Sequence, residues 1–120
     1  MIRDMRIHHL ALRVRDPERA ATFYGGLLGL PLLRRNDEAG VLRSLWLGAG
    51  DSVLMLERAL AGADDEGGSG HLLAFAVEDL EAWEARLREA GVRVDGRTAH
   101  TLYVRDPDGH RVGLSNHRLA

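Results

Sequence analysis

An imidazole and a guanidinium share one face of a predicted strand near the start of the chain. Segment 9–14 alternates strictly, so that His9, Ala11 and Arg13 fall on one face and only Leu and Val side chains fall on the other. This period of two predicts a half-buried strand. A face with these polar residues either meets water or lines a ligand cavity, where His9 would supply a hydrogen bond or a metal ligand and Arg13 a cation.

Further arginines and two aromatic residues extend the set of candidate contacts. Arg13, Arg43 and Arg111 are candidate cations for an anionic ligand, and Trp46 and Tyr103 are candidates for stacking on a planar ligand. The alternative is that the arginine stems cover sheet surface while their charges reach water. For the aromatic residues, the alternative is ordinary core packing or strand pairing.

Glu57 is the best candidate for a catalytic group, as a general base or an adventitious metal ligand. It lies at the end of the predicted strand 52–58, and the alternative is a surface glutamate paired with Arg58 or another arginine. The sequence contains no Ser-His-Asp arrangement, no P-loop and no dinucleotide-binding glycine fingerprint.

Composition limits the classes of function. The chain has 120 residues, which is enough for one domain, and a formal net charge of −2, which argues against nucleic acid as a partner. It has no cysteine, which excludes disulfides and thiolate metal sites. Neither a signal peptide nor an apolar run of membrane-spanning length is visible, so we expect a cytoplasmic protein without membrane contact.

The first half of the chain contains the elements that must position these residues. Asp16 and Pro17 predict the start of a helix whose apolar spacing continues to Leu28, and Gly29 is expected to end it. The turns 36–40 and 48–51 separate three further predicted strands. These strands are expected over 30–35, 41–47 and 52–58.

The second half repeats this pattern after the small, acidic and glycine-rich segment 59–70, which is predicted to be a linker. A strand is expected over 72–77, and Asp79 is predicted to cap a helix that ends at Gly91. Three strands are expected over 92–95, 101–105 and 110–116, with a tight turn at 106–109. In both halves the helix cap follows a strand valine by two residues, so the sequence predicts a duplicated βαβββ unit and an α+β fold.

Several segments resemble the vicinal oxygen chelate superfamily, which includes glyoxalase I, extradiol dioxygenases, fosfomycin-resistance enzymes and bleomycin-binding proteins. They are 9–16, Phe23-Tyr24, 28–30, 75–80 and 105–114. The resemblance implies two tandem βαβββ modules that form a curved mixed sheet around a cavity. A single glyoxalase-like domain is thus expected over 1–120, with module one at 6–58, a linker at 59–70 and module two at 71–117. Homodimers are frequent in the family, so a homodimer is expected, and the sequence leaves open whether the modules pair within one chain or between two chains.

The resemblance also implies where a metal would bind. Enzymes of the family hold one divalent metal ion through two His and one or two Glu, with a ligand from the first and last strand of each module. His9 matches the first position, whereas the other three positions are occupied by Met55, Leu72 and Gly113. A thioether is a poor ligand for hard divalent metals. Only one of the four usual positions therefore matches.

A rearranged metal site is the alternative. It would combine His9 with Glu57 and with a shifted His71 or His117. His71 lies one residue before the matching position, so a regular strand sends it to the helix side unless a β-bulge turns it. His117 shares strand parity with Gly113 and would lie near the cavity mouth.

These observations favour a small-molecule-binding protein of the glyoxalase/bleomycin-resistance type that needs no metal cofactor. The expected ligand is a small organic molecule. Its expected contacts are His9, Arg13, Trp46, Met55, Tyr103 and Arg111. The alternative is a metal-dependent lyase, isomerase or dioxygenase with one divalent metal ion, and a third hypothesis is a structural or regulatory dimer module without a ligand.

Overall fold

The computed structural model describes residues 5–59 and 71–118. The chain divides into two compact units, Met1–Asp65 and Glu66–Ala120. Of the predicted linker 59–70, only Ala59 lies among the described residues. No helix in the described part of the chain is long and apolar enough to cross a membrane.

Module one, the first unit, is a four-stranded mixed sheet with one short helical segment. Its elements are β1 (His9–Val14), α1 (Pro17–Ala21), a π-helical turn (Thr22–Leu27), β2 (Leu32–Glu38), β3 (Val41–Ala49) and β4 (Ser52–Arg58). The strand order is β1-β4-β3-β2, in which β1 and β4 are parallel and the other neighbours are antiparallel.

The helix of module one begins where the sequence predicts and then changes type. The side chain of Asp16 accepts a hydrogen bond from the Glu18 amide at 3.0 Å, and Pro17 takes the first helical position. The predicted α-helix to residue 28 is wrong beyond Ala21, because the chain widens into a π-helical turn in which the Leu28 amide donates to the carbonyl of Phe23. The turn contains the Gly25-Gly26 pair, and glycine has low helix propensity. Gly29 follows with a φ of 85°, as expected for a residue that ends a helix.

Alternation along the strands of module one separates a buried aliphatic face from a polar face. The helical segment packs against the sheet through α1, which contacts β3 and β4. The buried aliphatic side chains are Leu12, Val14, Leu45, Leu47, Leu54 and Leu56. The predicted strand parity is therefore confirmed.

The edge strand β2 differs from its prediction. It begins at Leu32 instead of residue 30, and it continues through the predicted turn to Glu38. Its pairing with β3 shifts register twice, between Leu32 and Arg34 and between Asn36 and Asp37. Irregular pairing of this kind breaks the alternation that a strand prediction depends on.

Module two, the second unit, repeats the connectivity of module one. Its elements are β5 (Leu72–Ala76), α2 (Leu80–Glu89), β6 (Gly96–Arg97), β7 (Thr101–Arg105) and β8 (Arg111–Ser115). The order is β5-β8-β7-β6, with β5 and β8 parallel. The predicted α+β fold of two βαβββ modules is thereby confirmed.

The tight turn between β7 and β8 is organised by a buried aspartate. The Oδ1 atom of Asp106 accepts hydrogen bonds from the amides of Asp108 and His110, both at 2.9 Å. Gly109 has a φ of 86°, which favours glycine at that position of the turn. The predicted strand at 92–95 is wrong, since the short edge strand is Gly96–Arg97.

Candidate ligand-binding faces

Each module presents one sheet face that carries the candidate residues. Face one, in module one, is formed by His9, Ala11, Arg13, Ser44, Trp46, Val53, Met55 and Glu57. Face two, in module two, is formed by Leu72, Ala74, Ala76, Thr101, Tyr103, Arg105, Arg111, Gly113 and Ser115. Apart from Leu42, which shares the parity of Ser44 and Trp46, the buried aliphatic strand residues lie on the opposite face of each module, so strand alternation directs the candidates to these faces.

Met55 lies at the centre of face one. The register places Ala11 of β1 on one side of it and Trp46 of β3 on the other. The Trp46 indole N–H donates to Ser44 Oγ at 3.3 Å, and the guanidinium carbon of Arg34 lies 5.4 Å from the centroid of the Trp46 ring. These contacts hold a half-buried aromatic ring next to Met55, as a planar ligand would require.

His9 and Glu57 lie at opposite ends of face one. His9 pairs with Val53, whereas Glu57 pairs with Arg13. Val53 and Glu57 are four residues apart on β4, which corresponds to roughly 13 Å at a rise of about 3.3 Å per residue. The pairing therefore places Glu57 beside Arg13 and away from His9.

The His9 ring interacts with its neighbour in sequence. Its Nδ1 lies 2.9 Å from Nδ1 of His8, and the two rings meet edge to face with centroids 5.1 Å apart. One of the two nitrogens must carry the proton for this to be a hydrogen bond. Both imidazoles are solvent-exposed, so the pair is accessible to a ligand.

The donor set at the four family ligand positions does not fit a divalent metal. Those positions hold the imidazole of His9, the thioether of Met55, the aliphatic Leu72 and the side-chain-free Gly113. β5 and β8 pair in unbroken register, with Leu72 opposite Arg111 and Ala74 opposite Gly113. Among residues 5–59 and 71–118, no three His, Asp or Glu side chains are grouped so that they could hold a metal ion.

His71 precedes β5 and lies beside a histidine of the β7–β8 turn. The ring centroids of His71 and His110 are 5.5 Å apart. The register of β5 contains no bulge from Leu72 to Ala76. The strand therefore contains no feature that would turn His71 toward face two.

His117 follows the end of β8. Its backbone amide donates to Ser115 Oγ at 3.2 Å, and its ring meets the His100 ring edge to face at 5.4 Å. His100 Nδ1 is in turn 3.0 Å from Asn116 Oδ1. The structure thus places His117 in a small exposed cluster at the end of the sheet.

Face two is dominated by an arginine stacked on a tyrosine. The guanidinium carbon of Arg111 lies 4.3 Å from the centroid of the Tyr103 ring, and both residues are half-buried. The Arg111 Nε atom is buried and has no hydrogen-bond partner. A buried donor left without an acceptor costs about 1–3 kcal/mol.

Arg43 lies away from face one. Alternation along β3 places it on the side opposite Ser44 and Trp46, and its Nε is 3.9 Å from Glu38 Oε2. Arg58 Nε donates to the carbonyl of Leu42 at 2.8 Å, whereas Arg13 lies opposite Glu57 in the strand register.

Sequence reasoning missed two residues that support Trp46. Ser44 precedes Trp46 by two residues on the same strand, so strand alternation already indicates that the two side chains lie on one face. Ser44 Oγ also accepts a hydrogen bond from Asn36 Nδ2 at 3.1 Å. The sequence does not indicate that Arg34 contacts Trp46, because Arg34 lies on β2, whose register with β3 is irregular.

The fold and these faces define a class of protein built from two βαβββ modules. The model of the Glyoxalase/Bleomycin resistance protein/Dioxygenase superfamily matches residues 6–114. The match spans both modules and most of the chain. The chain therefore belongs to this superfamily.

Relatives within the superfamily carry different functional names. A probable lactoylglutathione lyase of Vibrio cholerae is 34% identical, with 96% of this chain and 93% of that protein covered. The glutathione transferase FosA of Serratia marcescens is 30% identical, with 95% and 82% covered. The crystal structure of TnmS3, an antibiotic binding protein from a Streptomyces species, has a TM-score of 0.76 and 27% identity, with 96% and 98% covered.

Proposed function

We propose that this chain is a small-molecule-binding protein of the glyoxalase/bleomycin-resistance type that binds its ligand without a metal ion. The observation that carries the proposal is the donor set at the four family ligand positions: one imidazole, one thioether, one leucine and one glycine. A single neutral imidazole is too weak a donor set for a catalytic divalent metal, since such sites use three or more protein ligands.

The two faces supply contacts for an organic ligand. Each offers a half-buried aromatic ring with a guanidinium over it, Trp46 with Arg34 and Tyr103 with Arg111. Such rings contribute large contact areas and stack on planar groups. Similarity to an antibiotic binding protein agrees with this class of ligand. We infer that the ligand is a small, partly aromatic molecule.

Metal titration tests the metal-independent part of the proposal. Chelator-treated protein is titrated calorimetrically with Ni²⁺, Zn²⁺ and Mn²⁺. The comparison is a variant with Met55→Glu, Leu72→His and Gly113→Glu, which restores the side chains that the family pattern expects. We expect this variant to bind metal far more tightly than the natural chain. Stoichiometric metal uptake by the natural chain that survives gel filtration would contradict the proposal.

Tryptophan fluorescence tests ligand binding. The chain has two tryptophans, Trp46 on face one and Trp83 on α2. A panel of aromatic antibiotics that includes bleomycin is titrated into the natural chain and into the Trp46→Phe and Trp83→Phe variants. Quenching that persists in Trp83→Phe and is lost in Trp46→Phe is the expected result. Quenching carried by Trp83 alone, or absent altogether, would argue against face one.

A second candidate function is that of a metal-dependent lyase. It is favoured by the 34% identity to a probable lactoylglutathione lyase over nearly the whole chain. The decisive assay measures lactoylglutathione lyase activity of the natural chain with and without added Ni²⁺ or Zn²⁺. Activity that depends on the metal and disappears in His9→Ala would establish this candidate and displace the first. Under the binding proposal, neither metal produces activity.

We further infer that the two modules form a single domain over 1–120, with a linker at 59–70, and that the protein acts as a cytoplasmic homodimer. The family match across both modules supports the single domain. Fragments 1–65 and 66–120 are expected to give poorly dispersed amide spectra when expressed apart.

Light scattering after gel filtration tests the proposed homodimer, and a monomeric mass would contradict it.

A further inference from the structure

Arg111 has an arrangement that suits an anion. Its guanidinium lies over the Tyr103 ring, with its central carbon 4.3 Å from the ring centroid. Its Nε is buried without a hydrogen-bond partner. No carboxylate among the described residues forms an ion pair with it. The charge is therefore held in place and lacks a counter-charge.

We propose that Arg111, seated on Tyr103, is the anchoring site for an oxyanion group of the ligand, a carboxylate or a phosphoryl group. The inference rests on the proposed small-molecule-binding function and adds the chemical class of the ligand. A guanidinium that stacks on an aromatic ring keeps its N–H groups directed outward in its own plane. Those donors match two oxygens of one oxyanion, and such charge-assisted pairs are among the strongest hydrogen bonds in proteins.

The charges around Arg111 leave it available to a ligand. Its strand neighbour Arg105 is already paired, donating from Nε to Asp95 Oδ2 at 3.1 Å and from Nη1 to the Gly109 carbonyl at 3.1 Å. The Asp95 carboxylate is therefore occupied by another arginine. Because Asp95 compensates the charge of Arg105, the guanidinium of Arg111 is the charge on this pair of strands that is left to attract an anion.

The floor beside Arg111 accommodates the body of the ligand. Gly113 follows Arg111 by two residues on the same face and is flanked by Ala74 and Tyr103. A Cβ atom built at Gly113 would lie 3.5 Å from Ala74 Cβ and 3.5 Å from Thr101 Cγ2, which is ordinary contact. The position above Gly113 is thus closely bordered by Ala74, Thr101 and Leu72, and the body of the ligand is expected to lie against these side chains.

NMR titration of the full chain with small probes tests the proposal. Benzoate and phenylphosphonate carry the two kinds of oxyanion, and benzamide is the neutral analogue. The readouts are the Arg111 Nε–H resonance and the backbone amides of β8. The test variant is Arg111→Gln. The matched control is Arg105→Gln, which removes the same charge from the neighbouring strand of face two.

We expect at least one of the two anionic probes to shift the Arg111 resonance and to bind about tenfold or more tightly than benzamide. Arg111→Gln should remove that difference, whereas Arg105→Gln should retain most of it. The preferred oxyanion, carboxylate or phosphoryl, is read from the tighter probe.

Three results would overturn the inference. The first is equal binding of the anionic and neutral probes to the natural chain, which leaves the binding function intact and removes the anion site. The second is an equal loss of affinity in Arg111→Gln and Arg105→Gln, which indicates general charge attraction. The third is no response to any probe, in which case the antibiotic panel decides separately whether the binding function stands. Melting temperatures of both variants show whether a loss reflects unfolding.

Discussion

Modules one and two share their connectivity and their buried face but differ on the face that carries chemistry. Both have a parallel pair between the first and last strands, and in both an aromatic residue of the third strand lies opposite the centre of the last strand, Trp46 opposite Met55 and Tyr103 opposite Gly113. Around these centres, face one has a histidine, a methionine and a glutamate, whereas face two has none of these and has two arginines and a glycine. The two modules thus resemble each other in the residues that pack and differ in the residues on the opposite faces.

The largest expected effect on the free energy of unfolding comes from the buried aliphatic face that each module has. Leu45 of module one and Leu102 of module two occupy equivalent positions, paired with Leu56 and Leu114. Leu45→Ala and Leu102→Ala should each lower the free energy of unfolding by about 2–5 kcal/mol, because each leaves a cavity in a packed core. Urea titration followed by far-UV circular dichroism measures this.

The same pair of variants also checks the equivalence of the modules. Each module contains one tryptophan, Trp46 or Trp83, so fluorescence of Trp46→Phe and Trp83→Phe backgrounds reports on the modules separately. If truncation of one leucine costs less than about 1 kcal/mol while the other costs the full amount, the buried faces are not equivalent.

A smaller effect is expected where the modules differ in their last hairpin. Asp106 holds the turn of module two, whereas the turn of module one contains the exposed Asp51. Asp106→Ala should cost about 1–3 kcal/mol, because the amides of Asp108 and His110 lose their acceptor. Asp51→Ala is the matched control and should change the free energy of unfolding by less than about 0.5 kcal/mol.

Thermal unfolding with Asp106→Asn separates the hydrogen bonds from the charge. The amide oxygen keeps an acceptor in place, so this variant should recover part of the loss. A variant as unstable as Asp106→Ala would show that the carboxylate charge carries the effect.

The smallest effect concerns the two helix caps. Asp16 accepts from the amide of Glu18, and Asp79 accepts from the amide of Ala82, both at 3.0 Å. Replacing either by alanine should cost about 0.5–2 kcal/mol, and replacing either by asparagine should cost less. Chemical denaturation of the four variants checks this. Asparagine variants no more stable than the alanine variants would contradict the capping role.

The fold was predictable from sequence because its signals are local and repeated. Asp16 and Asp79 mark two helix starts, and alternation marks β1, β4, β5, β7 and β8, each of which the structure contains. The wrong predictions of helix and strand bounds lie where the residue periodicity of the element is interrupted. Register shifts displace β2, glycines widen the helix after Ala21, and β6 has only two residues and so no measurable period.

The sequence predicts which candidate residues lie on the same face of a sheet, but it does not predict the contacts between their side chains. The alternation of side chains along β3 and β4 places Met55, Trp46 and Glu57 on one side of the sheet. The distance of Glu57 from His9 depends on how β1 and β4 are aligned, and alternation within a strand carries no information on that alignment. The stacking of Arg111 on Tyr103 depends on side-chain conformation, which the sequence pattern does not specify.

The close but unstrained surroundings of Gly113 have a consequence for how this protein can evolve. Because a Cβ atom at Gly113 would meet its neighbours only at ordinary contact distances, the backbone there accepts the start of a side chain without a clash. The residues that secure the sheet, such as Val112 and Leu114, alternate with the residues that determine chemistry. Substitution at the alternate positions of this strand therefore changes the chemistry of face two while the packed side chains stay the same.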